Sequence, residues 1–349
     1  MTAPLWPDEV RYSRQMRFAP ISEDGQRRLA EAHVAIVGLG ALGSVLADLL
    51  ARAGVGRLRL IDRDFVEPSN LQRQPLYTER DAEQSLPKAV AAAAALGRVN
   101  RSTAVEPVTA DISARNAEAL LGGVSLILDG TDNFPSRFLL NDVAVKRGIP
   151  WIYGGAVASR GVTLPVIPGE TPCLRCLYFV PPEPGTGETC DTAGILAPAS
   201  HVTASRQAAE ALKLLAGRRE AVNPRMVHFD LWTGEHAELD VSSARNPDCP
   251  ACGRRQFEFL HAGADGERTA ALCGRDAVQI VPSAPLRVDL GAWAARWASL
   301  GRVERNPFLV KLHLSEEQRL VLFPDGRMLV QGVSDPEDGL RLYRRYFGE

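Results

Sequence analysis

Little in this chain commits it to a membrane or a nucleic acid. No apolar run in its 349 residues approaches the roughly 20 needed to cross a bilayer. The opening stretch MTAPLWPDEVRYSRQ has no signal-peptide apolar core, so the expected location is the cytoplasm. A formal net charge of -2 leaves no basic footprint for nucleic acid and none for an acidic membrane surface. Internal repeats and low-complexity tracts are absent, and the run from Ala89 to Ala95 reads as a helix of high propensity. No G-x-x-x-x-G-K-[ST] loop occurs, which removes the kinase-like cradle for β- and γ-phosphates. Cysteines number only six, and four of them fall in two C-x-x-C pairs, which in a reducing compartment read as metal ligands rather than disulfides. The 45% of hydrophobic residues suffices for one large domain and a smaller one.

The stretch HVAIVGLGALGSVLADLLARAGVGRLRLIDRD, from His33 to Asp64, is the most informative in the chain. His33 to Val37 is a short β-branched run, followed by Gly38, Gly40 and Gly43 in the G-x-G-x-x-G spacing that opens a helix near Ala41. The first glycine allows a tight turn, the second lets backbone approach a phosphate, and the third lets helix pack on sheet. Phosphate then sits on the amides at the helix N-terminus. A second strand from Arg57 delivers Asp62 about twenty residues after the turn, where an acid accepts hydrogen bonds from ribose hydroxyls. An adenosine-containing ligand follows, and this motif alone leaves NAD and ATP both open.

Further along, apolar runs alternate with helical patterns, which predicts an α/β fold of Rossmann type, doubly wound around a mostly parallel sheet. Strands are expected at 33–37, 57–62, 104–108, 124–129 and 150–153, and helices near 41–53, 87–99, 113–121 and 134–147. After Gly154 come irregular strand-like segments, a Pro/Gly-rich loop from Val180 to Gly194, and a helix from Ser205 to Ala216. A composition shift near HAGADGER divides a core at 31–260, preceded by a helical arm at 1–30, from a small α+β module at 265–349. In that module Leu290, Trp293, Trp297 and Leu300 form a helical stripe, and Phe308, Val310, Leu312 and Leu314 alternate as a strand. A hairpin turns at Pro324-Asp325-Gly326.

Beyond the second strand the sequence departs from a dehydrogenase. A second acid, Asp64, is followed by Asn70, Arg73 and Gln74, and Lys88 opens the next helix. Two fixed cations near the glycine turn suit a triphosphate, which carries more negative charge than a dinucleotide's pyrophosphate. Asp129 and Asp132 fall at the end of a strand, where an acid could hold magnesium against phosphate oxygens. The competing reading makes Asp132 the cap of the helix near Phe134. Cys173-x-x-Cys176 and Cys249-x-x-Cys252 offer four thiolates that would close a zinc tetrahedron with no open position, and Pro172, Pro250 and Gly253 suit the tight turns.

RYSRQ, GLGALG, IDRDFVEPSNLQRQ, Lys88, DGTDN..SR..LND, PCLRC, CDTAGILAP and NPDCPAC occur in the order and spacing of the ThiF/MoeB/HesA family, the prokaryotic relatives of ubiquitin-activating enzymes. The chain resembles that family over roughly residues 10 to 257. The resemblance implies that magnesium-ATP adenylates the C-terminal glycine of a small ubiquitin-like sulfur-carrier protein, releasing pyrophosphate and preparing the carrier for thiocarboxylate formation. Thiamine, molybdopterin or a related synthesis would use the product. By the same resemblance Gly38, Gly40, Gly43, Asp62, Asp64, Asn70, Arg73, Gln74, Lys88, Asp132 and Asn133 line the ATP site, with Asp132 on magnesium. Arg14 would reach the partner subunit's ATP in a homodimer, and Cys190 would take part in sulfur transfer. The tail does not resemble a rhodanese domain; it is similar to an extension found on some bacterial proteins of the family, and Cys273 within it is expected to be a buried structural cysteine. Two other readings are an NAD-dependent oxidoreductase, which finds no histidine in the motif cluster to handle a hydride, and a zinc-held binder of a ubiquitin-like tail without chemistry.

Overall fold

The computed structural model describes residues 7–180, 182, 187–261, 268–272, 276–283 and 286–348. They group into two compact units, one of residues 1–187 with 193–262, the other of 188–192 with 263–349.

The first unit is built on an 8-stranded sheet in the order β3-β2-β1-β4-β5-β6-β7-β8. Its strands are β1 (His33–Val37), β2 (Arg57–Asp62), β3 (Ala104–Thr109), β4 (Leu126–Asp129), β5 (Trp151–Val157), β6 (Arg160–Val166), β7 (Met226–Asp230) and β8 (Glu235–Leu239). The strands from β3 through β5 pair in parallel, and those from β5 onward pair antiparallel. Side chains alternate across the pleat, so β1 feeds two cores at once. Val34 and Ile36 join Leu46, Leu50, Leu58, Leu60 and Leu96 on one face, and Ala204, Ala208 and Ala211 of the helix Ala197–Leu215 close it. Ala35 and Val37 join Ile127, Phe138, Leu140 and Trp151 on the other, under the helix Phe134–Arg147. The parallel strands thus all point their C-terminal ends to one edge, where ligands of such sheets bind.

Several element boundaries differ from those read in the sequence. The first helix of the core begins at Gly43 rather than 41, and β4 begins at 126 rather than 124. The helix expected over 113–121 shrinks to Ala117–Leu120, because Asn116 turns back to accept from the Ser113 amide and donate to the Asp111 carbonyl. The helix expected from Ser205 starts at Ala197, since Pro198 in its first turn needs no amide donor. A four-residue helix, Cys190–Ala193, occupies part of the expected loop.

The second unit holds β9 (Arg268–Leu272), β10 (Ala277–Val281), β11 (Arg302–Arg305), β12 (Val310–His313), β13 (Arg319–Leu322) and β14 (Met328–Gln331) in the antiparallel order β11-β12-β13-β14-β10-β9. The helices Leu290–Trp297 and Pro336–Tyr346 contribute Trp297 and Tyr343 to its core. The hairpin turns at Gly326, which adopts a positive φ of 81°. Leu300 is excluded from the expected stripe, because the helix ends before it and the side chain is exposed. Cys273 lies outside the described residues. Among the described residues no helix is long and apolar enough to cross a membrane.

Candidate active site and metal centre

Two of the three motif glycines are required by the protein's own packing. A Cβ on Gly43 would stand 1.8 Å from the Gly38 carbonyl oxygen, and one on Gly38 would stand 2.6 Å from that of Gly130. Gly38 also has a φ of 82°. At Gly40, by contrast, the nearest atom to such a Cβ is Gln74 Nε2 at 3.8 Å. Nothing inside the fold demands a glycine there, which fits a backbone kept bare for an incoming phosphate.

Asp62 ends β2 buried, its carboxylate accepting from the Leu39 amide at 2.5 Å and the Asp64 amide at 2.7 Å. The acid therefore pins the turn. Burial raises its pKa, Lys88 lowers it again, and Asp64 opposes Lys88. Lys88 is itself buried, with Nζ 3.4 Å from Asp64 Oδ2 and its amide bonded to the Asp64 carbonyl. Asn70 is buried and caps a short turn by accepting from the Glu67 amide. Gln74 is also buried, and its Oε1 has no hydrogen-bond partner among the described residues. That orphaned acceptor beside Gly40 has the character of a ligand contact. Arg73 is half-buried and donates to the Ser69 carbonyl at 2.8 Å.

At the end of β4 the two acids separate in role. Asp129 is fully buried, accepts from the Thr131 amide and hydroxyl, and lies 3.5 Å from Arg137. Burial raises its pKa, with Arg137 acting against the shift. It is a structural pair. The cap of the helix Phe134–Arg147 is Asn133, whose side chain accepts from the Ser136 amide, so the capping role considered for Asp132 falls to its neighbour. Asp132 accepts from Asn133 Nδ2 at 3.2 Å.

Two further expected residues lie on other elements. Arg14, on the exposed helix Ser13–Met16, donates to Ser13 Oγ of its own helix. Cys190 opens the short helix grouped with the second unit. His201 Nε2 lies 3.3 Å from the Arg73 carbonyl oxygen.

Three contributors escaped the motif reading. Tyr77 donates to the Leu39 carbonyl at 2.8 Å and so braces the glycine turn from the side. Gln207 donates to the Asp129 and Ile152 carbonyls, and its amide occupies the space that a Cβ on Gly154 would need. Arg63, between the two acids of IDRD, donates to Asp111 at 3.2 Å. The first two are polar residues in apolar surroundings, a pattern that offered a signal; the third depends on a partner 48 residues along the chain, which no local pattern reveals.

The four paired cysteines converge. Sγ atoms of Cys173 and Cys249 are 3.6 Å apart, those of Cys176 and Cys252 3.4 Å, and those of Cys173 and Cys176 3.9 Å, with all four within 4.8 Å of one another. A tetrahedral zinc with bonds of about 2.3 Å has edges of roughly 3.8 Å. The donor set is compatible with zinc, because four thiolates this close repel unless a dication sits among them. Both turns hang from one helix: Asn141 accepts from the Leu174 amide and Asp142 from the Phe259 amide. Burial pushes the Asp142 carboxyl up to about 7, against the Phe259 and Leu260 amides, which pull it down.

The ThiF family pattern matches residues 12–251. The chain belongs to the ThiF family. Over 339 residues it is 44% identical to the sulfur carrier protein ThiS adenylyltransferase of Bacillus subtilis, covering 97% of this chain and 99% of that relative. It is 39% identical over 246 residues to the molybdopterin-synthase adenylyltransferase of Salmonella typhimurium, covering 70% of this chain and 96% of the relative. The solved structure of E. coli MccB with ATP has a TM-score of 0.60 at 23% identity, over 70% of this ThiF-family chain and 74% of that one, a likeness of fold. The Bacillus alignment is long enough to take in the C-terminal unit, whereas the Salmonella alignment is about as long as the family pattern itself.

Proposed function

We propose that this chain is an ATP-dependent adenylyltransferase acting on the C-terminal glycine of a ThiS-type sulfur carrier, in the cytoplasm. The observation that carries the choice of carrier is the alignment with the ThiS adenylyltransferase, which runs through both units. The site supports the reaction class. A carboxylate oxygen of the carrier's glycine attacks the α-phosphorus, a new P–O bond forms, and the bond to the β-phosphate breaks, so that pyrophosphate leaves with the electron pair. Such a displacement needs positioning and charge neutralisation more than a side-chain nucleophile. Gly40 offers bare backbone to the phosphates, Asp62 orients the ribose, and Asn70, Arg73, Gln74 and Lys88 hold the phosphate chain. Magnesium, held by Asp132 with Asn133 beside it, would neutralise the phosphate oxygens. Zinc in the four-cysteine cluster would be structural, since four thiolates leave no open position.

Two finer assignments belong to the same reading. Arg14 would complete the partner subunit's site in a homodimer, as its exposure on the arm permits. Cys190 would act after adenylation, in sulfur transfer. Both are tested with the main claim by exchange of labelled pyrophosphate into ATP. The native chain should catalyse it only with a carrier ending in free glycine, and Cys190→Ser should leave it intact while blocking thiocarboxylate formation. Mixing Arg14→Ala chains with Asp132→Ala chains should restore part of the activity. Absence of carrier-dependent exchange sinks the function; no rescue on mixing sinks the role of Arg14 across a dimer; unchanged sulfur transfer by the serine variant sinks that of Cys190.

A further inference from the structure

Arg63 has no task in the reaction as derived, yet it is one of the most constrained cations at the site edge. Its Nη1 donates to Asp111 Oδ1 at 3.2 Å, and its Nε lies 3.8 Å from Asp64 Oδ1. Burial would lower its pKa, but Asp111, Asp64, Asp132 and Asp62 together raise it. A cation compensated by so many acids has little charge left to offer a phosphate. Its place in the sheet also argues against that use. The order β3-β2-β1 sets out three neighbouring strand ends, and the phosphates belong to the turn after β1 and the ribose to Asp62 at the end of β2. The base therefore extends toward the end of β3. That is where Asp111 stands, two residues past β3, and the Ala110 amide bonds to the Asp62 carbonyl to hold those two strand ends together. Side chains of Arg63 and Asp111 remain about a quarter exposed, at 26% and 21%.

A guanidinium tied along its edges to Asp111 and Asp64 cannot rotate freely, and what it can still offer a ligand is its flat face. We infer that Arg63 is a stacking platform for the adenine base, with Asp111 and Asp64 as the residues that fix its plane. This rests on the adenylyltransferase reading and adds a specificity residue to it. The chemistry predicts a preference for purine over pyrimidine triphosphates, because the larger ring covers more of the guanidinium plane.

The test is calorimetric binding of ATP and CTP to the full chain carrying Arg63→Lys or Arg63→Phe. Lysine keeps the charge near the acids and loses the face; phenylalanine does the reverse. Arg63→Lys should weaken ATP binding about tenfold and leave CTP nearly unchanged, whereas Arg63→Phe should stay within about threefold of native for ATP. Melting temperature and cysteine-bound metal content, measured on the same samples, keep folding defects separate from binding defects. If lysine binds ATP as the native chain does, Arg63 is a counter-ion; if phenylalanine is as weak as lysine, a flat face alone does not hold the base; either result overturns the stacking role. A native chain that binds no ATP overturns the adenylyltransferase reading itself, an outcome distinct from either variant result.

Discussion

Replacing Lys88 with alanine should slow carrier-dependent pyrophosphate exchange by on the order of a hundredfold or more, the usual cost of removing a preorganised charge from a displacement at phosphorus. The expected loss exceeds that for the half-buried Arg73, because Lys88 works in two ways. It is the buried cation among the proposed phosphate-binding residues, and it compensates Asp64 at 3.4 Å. Without it Asp62 loses the neighbour that lowers its burial-raised pKa, while the opposing charge of Asp64 stays. The sign follows directly. A carboxyl whose pKa rises is protonated at higher pH, and a protonated Asp62 is a poorer acceptor for the Leu39 and Asp64 amides that shape the turn. The acid limb of the exchange profile should therefore move to higher pH in Lys88→Ala, in addition to the drop at the optimum. Lys88→Arg should keep the position of that limb while losing rate, since the charge survives and the fit does not. Rates within a few-fold of native for Lys88→Ala would falsify the phosphate assignment.

How far the sequence carried the interpretation depends on how local each feature was. The strand, glycine turn and helix from His33 to Ala53 were legible because every constraint lies within the motif: Gly38 needs its φ of 82° and Gly43 its contact with the Gly38 carbonyl. The paired cysteines were legible from spacing, although only the fold brings Cys173 within 3.6 Å of Cys249 across 76 residues of sequence separation. The antiparallel half of the sheet was not. Segments after Gly154 read as irregular, since β8 is an edge strand with mostly exposed side chains and shows no apolar alternation to distinguish it from loop. Arg63 and Asp142 were invisible as functional candidates for a different reason. Each acts on a residue far along the chain, Asp111 and Phe259 respectively, and charge or burial alone does not announce such a partner. The helix expected from Ser205 was placed late at its start, since it begins at Ala197 with Pro198 as an initiator in its first turn.

Loss of the zinc should have the largest effect on stability, and it should reach the ATP site. Protein purified without chelator is expected to hold about one equivalent of zinc, and Cys249→Ser should lose most of it. Free energies of structural zinc sites run to roughly 10 kcal/mol or more, comparable to the entire stability of a domain. The chain of contacts says where the damage goes. The cluster closes two turns against the helix Phe134–Arg147 through Asn141 and Asp142, and the same helix begins at Asn133, beside Asp132. Freed cysteine segments leave Asn141 and Asp142 with buried polar groups and no amide to bind, so the helix loses support along the face that anchors it. Two observables with opposite pH signs separate this from a general weakening. Asp142, with its pKa held near 7, is protonated more readily folded than unfolded, so its contribution to stability grows as pH falls through that range. Zinc held by thiolates gives the reverse, because acid protonates the ligands and releases the metal. Zinc-loaded native protein should therefore lose stability from neutral pH downward, and Asp142→Asn should lose it more steeply, since its compensating term is gone. Chelation should lower the melting temperature by far more than about 10 °C and abolish exchange in step with zinc loss. A stripped chain that melts within about 2 °C of the loaded one would mean that the four thiols pack as ordinary buried cysteines and that the metal has no structural role.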